Sequence, residues 1–178
     1  LAQAGAPSAR HYHVAVWTGP PVTQMIVWGG GENPATGGIG VPVNTGGRYS
    51  PASDSWTATS TTGAPPPLLG ATAVWCAATA PPVMVVWGGG SNAGGRYDPV
   101  GDAWSPTNTS SPNLPSARTG NTAVWTGSRM IVWGGTVPGP PPLFIPTPVN
   151  TGGSYDPAAD DWQAVTTPNA PSARVGHG

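Results

Sequence analysis

A four-part pattern recurs three times in this chain, always in the same order, and it limits what the chain can fold into. Ala-Val-Trp stands at Ala15–Trp17, Ala73–Trp75 and Ala123–Trp125. Val-Trp-Gly-Gly follows at Val27–Gly30, Val86–Gly89 and Val132–Gly135. Gly-Gly-x-Tyr-x-Pro comes next, at Gly46–Pro51, Gly94–Pro99 and Gly152–Pro157, and carries Tyr49, Tyr97 and Tyr155. Asp-x-Trp closes each copy, at Asp54–Trp56, Asp102–Trp104 and Asp160–Trp162. The opening tryptophans Trp17, Trp75 and Trp125 are 58 and then 50 residues apart. All nine Trp fall on repeat positions; the other six are Trp28, Trp87 and Trp133, and Trp56, Trp104 and Trp162. Repeats of this length are supersecondary units that bury their apolar faces against one another. The copies span about residues 6–63, 64–112 and 113–169 of one domain. Ala-Pro-Ser-Ala-Arg at Ala6–Arg10 returns at Ala170–Arg174, so residues 170–178 read as the start of a fourth copy.

Each copy reads as four short strands. The first lies around Val14–Trp17 and the second at Met25–Trp28. The second is continuously apolar, as a strand covered on both faces should be. Gly29 and Gly30 end it. The third is near Arg48–Tyr49, and Asp54 and Ser55 turn the chain into the fourth at Trp56. Gly (27) and Pro (24) are too dense for long helices. They are also dense enough to raise disorder, but nine Trp and repeated Val/Ile runs supply apolar surface worth burying.

Four antiparallel strands per unit is the blade of a β-propeller. The pattern resembles the kelch family, over nearly the whole chain. A kelch blade has a hydrophobic strand ending in Gly-Gly, a Tyr-Asp-Pro turn, and a Trp about six residues after the Tyr. Tyr97-Asp98-Pro99 with Trp104, and Tyr155-Asp156-Pro157 with Trp162, match it directly. Tyr49-Ser50-Pro51 before Trp56 departs slightly, and Leu68 stands where the other copies open on Arg. The resemblance implies an all-β propeller segment of about three four-stranded antiparallel blades, completed by further chain or by oligomerisation. The Tyr and Trp rings are expected to fill the space between blades, and the repeated Arg and Asp to bridge turns and strands within or between them.

The repeats absorb most of the residues that could carry chemistry. Arg10, Arg118 and Arg174 share one position, and Arg48 and Arg96 another. Asp98 and Asp156 share a third, and Asp54, Asp102 and Asp160 a fourth. Only Glu32, Arg129 and Asp161 stand outside the pattern. A catalytic constellation usually breaks repeat symmetry, so the chain is read as non-catalytic, with no catalytic, cofactor-binding or metal-binding residue assigned. Asp160 and Asp161 are adjacent and do not form a glycosidase pair by themselves. His11 and His13 would share one face of a strand, but the position of His13 and His177 is Ala71 and Asn121 in the other copies. Kelch propellers are known as enzymes in copper radical oxidases, which use a Tyr–Cys crosslink. Cys76 is the only thiol, no Tyr is tied to it by sequence, and it reads as a small buried hydrophobe.

Six Arg, seven acidic residues and no Lys give a net charge of −1, without a basic cluster for nucleic acid. No apolar stretch approaches the roughly 20 residues of a membrane-spanning helix. No signal peptide is visible at Leu1–Gly5. The lack of Lys and the Thr/Ser/Pro/Gly-rich loops lean towards an extracellular, periplasmic or cell-envelope bacterial protein. Asn108-Thr109-Ser110 has the form of a glycosylation sequon.

Function is then sought in the connections. The link between second and third strands is short at Gly90–Ala93 but long at Gly31–Asn44 and Thr136–Asn150. The long links carry the candidate partner contacts Glu32 and Ile39, and Leu143, Phe144 and Ile145. The expectation is a protein-interaction or scaffolding module of a larger protein or assembly. The alternatives are a glycan-binding propeller, marked by Trp exposed at one rim, or a non-catalytic segment of a secreted enzyme such as a carbohydrate oxidase. Three blades leave two apolar faces to be covered by further chain, by a second chain in a six-bladed ring, or by other subunits. The broken fourth copy favours the first of these.

Overall fold

The computed structural model describes residues 3–32, 40–143 and 145–177. Over these residues the chain is all β, without helix. The strands are β1 (Arg10–His11), β2 (Val14–Trp17), β3 (Met25–Trp28), β4 (Gly31–Glu32), β5 (Val41–Pro42), β6 (Gly46–Ser50) and β7 (Ser55–Ala58). Next come β8 (Ala71–Cys76), β9 (Val83–Gly88), β10 (Gly95–Asp98) and β11 (Ala103–Pro106). The chain ends with β12 (Thr122–Trp125), β13 (Met130–Trp133), β14 (Thr136–Val137), β15 (Thr147–Pro148), β16 (Gly152–Asp156) and β17 (Asp161–Ala164).

Each repeat copy makes one four-stranded antiparallel sheet, in the orders β2-β3-β6-β7, β8-β9-β10-β11 and β12-β13-β16-β17. The register is the same in all three. Trp17, Trp75 and Trp125 pair with Met25, Met84 and Met130, and Tyr49, Tyr97 and Tyr155 pair with Trp56, Trp104 and Trp162. The first strands of successive sheets, β2 with β8 and β8 with β12, are neighbours. Two small sheets, β1-β4-β5 and β14-β15, are additions that the repeat pattern does not foretell.

The second sheet explains the unbroken apolar run of each second strand. Met84 and Val86 turn to the first sheet, where they join Val14, Ile26 and Trp28. Val85 and Trp87 turn the other way, to Met130, Val132 and Trp162 of the third. Burying a side chain of this size contributes about 1.5–3 kcal/mol. At each joint the second-strand Trp meets the fourth-strand Trp of the next sheet. Trp28–Trp104 are 5.0 Å apart and Trp87–Trp162 5.2 Å, both tilted.

The repeated Arg and Asp do bridge the sheets. Arg48 donates to the Pro99 carbonyl and lies 3.9 Å from Asp102. Arg96 donates to the Pro157 carbonyl (3.2 Å) and to Asp160 (3.1 Å). Each of these aspartates also serves its own sheet and the preceding linker. Asp102 accepts the Tyr97 hydroxyl (2.5 Å) and the Ser60 N–H (2.9 Å). Asp160 accepts the Tyr155 hydroxyl (2.6 Å) and the Asn108 N–H (2.8 Å).

The Gly-Gly corners make a third kind of joint. Gly29 and Gly30 have φ of 69° and 83°, and a Cβ on Gly30 would lie 2.6 Å from the His11 carbonyl oxygen. The Gly30 N–H donates to the Leu68 carbonyl, Gly90 N–H to Arg118, and Gly135 N–H to Arg174, each at 2.9 Å. The openings of the second and third copies are thereby pinned to the sheet before them, and residues 170–177 dock on the third sheet in the same way. One expectation fails nearby. His11 and His13 do not share a strand face, because Tyr12 takes φ of 54° and ends β1 before β2 begins.

Trp162 is fully buried at the joint of the second and third sheets. Trp162→Ala is expected to cost about 3–5 kcal/mol in urea unfolding. Trp17→Ala, at a position 54% exposed, should cost much less.

Candidate functional site

Because neighbouring strands are antiparallel, the second-to-third connections of all three sheets emerge at one end. The Gly-Gly corners sit there. The first sheet carries the β4–β5 hairpin at that end, the third carries β14–β15, and the second, between them, has only its short turn. Both hairpins return to their sheets through Pro-Val-Asn-Thr-Gly-Gly.

An arginine grips the foot of each hairpin. Arg10 Nη1 donates to the carbonyls of Gly29 (3.1 Å) and Thr45 (2.9 Å), where the long connection leaves and returns. Arg118 Nη1 does the same with Gly134 (3.1 Å) and Thr151 (2.8 Å). Arg118 is 2% exposed, and burial lowers its pKa from the ordinary arginine value. The carbonyls satisfy the guanidinium in place of water. The second copy has a short turn and nothing to grip, and buried Leu68 fills the position.

The candidate contacts divide on this frame. Leu143 and Ile145 are 75% and 65% exposed near the tip of the third sheet's connection, after Pro140–Pro142. Val41 on the other hairpin, which the repeat reasoning did not single out as a contact, is 64% exposed. Glu32, whose side chain is 41% exposed, is held by the frame: it pairs with Arg10 at 3.3 Å and accepts the Ser8 hydroxyl. Ile39 and Phe144 lie outside the described residues. A hollow of about 160 Å³ between Gly90, Thr119, Val137 and Pro146 sets the foot of the β14–β15 hairpin against the corner of the second sheet.

At the opposite end a cleft of about 600 Å³ separates the second and third sheets, between Ala80, Val83, Arg96, Asp98 and Pro157. Its charges are engaged within the chain. Arg96 holds Asp160 and the Pro157 carbonyl, and Asp98 accepts the Val100 N–H at 2.8 Å. Arg129 pairs with Asp156 at 3.2 Å. The Asn108 side-chain oxygen accepts the Ser110 N–H at 2.8 Å. Among the described residues, no three of His, Cys, Asp and Glu gather as a metal-binding group, and no helix is long and apolar enough to cross a membrane.

The tryptophans are spread through the sheet stack. Trp28, Trp87, Trp104 and Trp162 are buried, Trp56, Trp75, Trp125 and Trp133 are half-buried, and Trp17 is exposed. Tyr49, Tyr97 and Tyr155 are buried. Cys76 is fully buried in the cluster that holds Tyr155, a neighbour that sequence could not tie to it.

Two solution properties follow from these environments. Burial pushes the Cys76 thiol up to about 12, so a thiol reagent at pH 8 should react only as the chain unfolds. Rapid reaction of the folded protein would contradict the closed joint. Burial raises the Asp102 pKa, but the Tyr97 hydroxyl, the Ser60 N–H and Arg48 outweigh it and leave the carboxyl below its usual value. A depressed folded pKa contributes stability that is present above the unfolded value of about 3.9 and is lost as pH falls through the folded one. Urea unfolding between pH 5 and pH 2 should therefore show a shallower acid loss for Asp102→Asn than for the parent.

No protein-family model matches the chain, and no curated protein matches it.

Proposed function

We propose that the three sheets are consecutive blades of a kelch-type β-propeller segment, and that the chain is a non-catalytic protein-interaction module. Equal register, adjacent first strands and the same Trp–Trp contact at each joint support the propeller reading. The docking edge is the connection bearing Leu143 and Ile145. The observation that carries it is their exposure on a Pro-braced loop, at 75% and 65%, while the repeated polar residues serve the frame. The dispersal of the Trp among the sheet joints favours protein contact over sugar stacking. The Lys-free composition supports a place outside the cytoplasm.

Peptides selected by the chain from a displayed library provide the test. Leu143→Asp with Ile145→Asp should weaken them at least tenfold, with circular dichroism and Trp emission unchanged. Equal binding to both proteins would overturn the docking edge. Glycan-array binding abolished by Trp17→Ala would favour the sugar reading instead.

A further inference from the structure

Among the described residues the first and third sheets each have one face without a sheet against it, and these faces match the two halves of a joint that the molecule builds twice. Forward, the first sheet presents Val16, Ile26 and Trp28, and the second presents Val74, Val85 and Trp87. Backward, the second sheet presents Trp75, Met84 and Tyr97, and the third presents Trp125, Met130 and Tyr155. The same positions at the two ends are Val124, Ile131 and Trp133 facing forward from the third sheet, and Trp17, Met25 and Tyr49 facing backward from the first. Tyr49 is buried and Met25, Ile131 and Trp133 are half-buried, but two of the end positions are much more exposed than their counterparts at the joints. Val74 is 7% exposed beneath the third sheet, but its counterpart Val124 is 59% exposed. Trp75 and Trp125 are half-buried at the joints, but their counterpart Trp17 is 54% exposed.

We propose that the chain self-associates head to tail, the forward face of the third sheet of one copy seating on the backward face of the first sheet of a second copy. The occupant is argued from continuity. The contact repeats the apolar positions and register of the two joints already present, so a second copy needs no apolar surface that the chain lacks. Two copies joined at both ends make a closed pair, which satisfies both faces of each. Ser154 stands where Arg48 and Arg96 reach the next sheet, so the intermolecular joint lacks that guanidinium and is weaker than the internal ones.

The seat on the third sheet is already occupied within one copy. Arg174 accepts from Gly135 there and stands 5.9 Å over Trp133, whose ring edge also meets His177 at 5.2 Å. His177 Nε2 lies 3.0 Å from Thr122 Oγ1, as Asn121 Nδ2 lies 3.1 Å from Thr72 Oγ1 at the internal joint. Ala6–Arg10 and Ala170–Arg174 are the same five residues. In the assembly, Ala6–His13 of the incoming copy takes the place that Ala170–His177 hold in the single chain. The C-terminal segment therefore competes with self-association.

Sedimentation equilibrium of the 178-residue chain tests this. Mass should rise with concentration from 17.8 kDa towards twice that value. Trp17→Arg and Val124→Arg, both at exposed positions, should each weaken dimerisation at least tenfold, with circular dichroism unchanged. An equimolar mixture of the two variants should recover a weaker dimer, since one joint then has both wild-type faces. Removing residues 170–178 should tighten the dimer. Leu143→Asp with Ile145→Asp should dimerise as the parent does, so failure of the docking edge and failure of this joint can be told apart. A parent chain that stays monomeric at every concentration overturns the proposal. So does either Arg variant dimerising normally, because a like-to-like contact would use only one face. An unchanged or weaker dimer after removal of 170–178 overturns the exchange of segments.

Discussion

The packing of one sheet's second strand against the next sheet is the constraint around which this chain is organised. The ladder hydrogen bonds hold each sheet together but do not run from one sheet to the next. Cohesion between sheets is chiefly apolar, from side chains that alternate along β9 to two opposite neighbours. A strand with both faces apolar cannot be left in water on either side. Apolar contact is non-directional, however, and would tolerate sliding. Register between sheets comes from the bonds that frame each joint, the guanidinium to a turn carbonyl and the corner N–H to the next opening, with the Trp104 indole N–H to the Ser60 carbonyl at 2.9 Å added at the first joint. The apolar core supplies the energy and these bonds select the arrangement.

The aspartate at the start of each fourth strand shows why one residue type recurs where several demands meet. Asp54, Asp102 and Asp160 have φ of 45°, 48° and 53°, a conformation that Asp tolerates better than most side chains. Their carboxylates accept the hydroxyls of Tyr49, Tyr97 and Tyr155, whose rings are buried and need a partner at the tip. Asp102 and Asp160 add a backbone N–H of the preceding linker and the arginine of the preceding sheet. Turn, sheet and joint thus converge on one side chain.

The strands were legible because each repeated motif ends on a local breaker, the Gly pair or the Tyr-x-Pro turn, whose effect needs no tertiary information. The direction of each joint was not legible, since a continuous apolar strand carries no mark of which neighbour its odd and even residues will meet. Leu68 is instructive. By sequence it breaks the Arg pattern of the openings, but the joint to the preceding corner uses its backbone carbonyl, which every residue has. The side chain at that position serves another purpose altogether. Glu32 is the reverse case: by sequence it stands outside the repeat pattern, yet it is drawn to Arg10 because β1 and β4 pair Arg10 with Glu32.

That other purpose bears on how function can vary on such a frame. Arg10 and Arg118 hold together the two ends of a long connection, and Leu68 occurs where the connection is a short turn. The guanidinium closes the foot of the loop with fixed carbonyls, so what lies beyond the foot does not disturb the sheet. A long insertion costs little more than a short one once its ends are held. The residues between Gly135 and Thr151 are thereby free of the repeat's demands, and it is there that Leu143 and Ile145 stand exposed. The same repeat position that stabilises the frame decides which connections can carry a contact surface. The proposed docking edge is therefore found on a sheet with Arg at its opening.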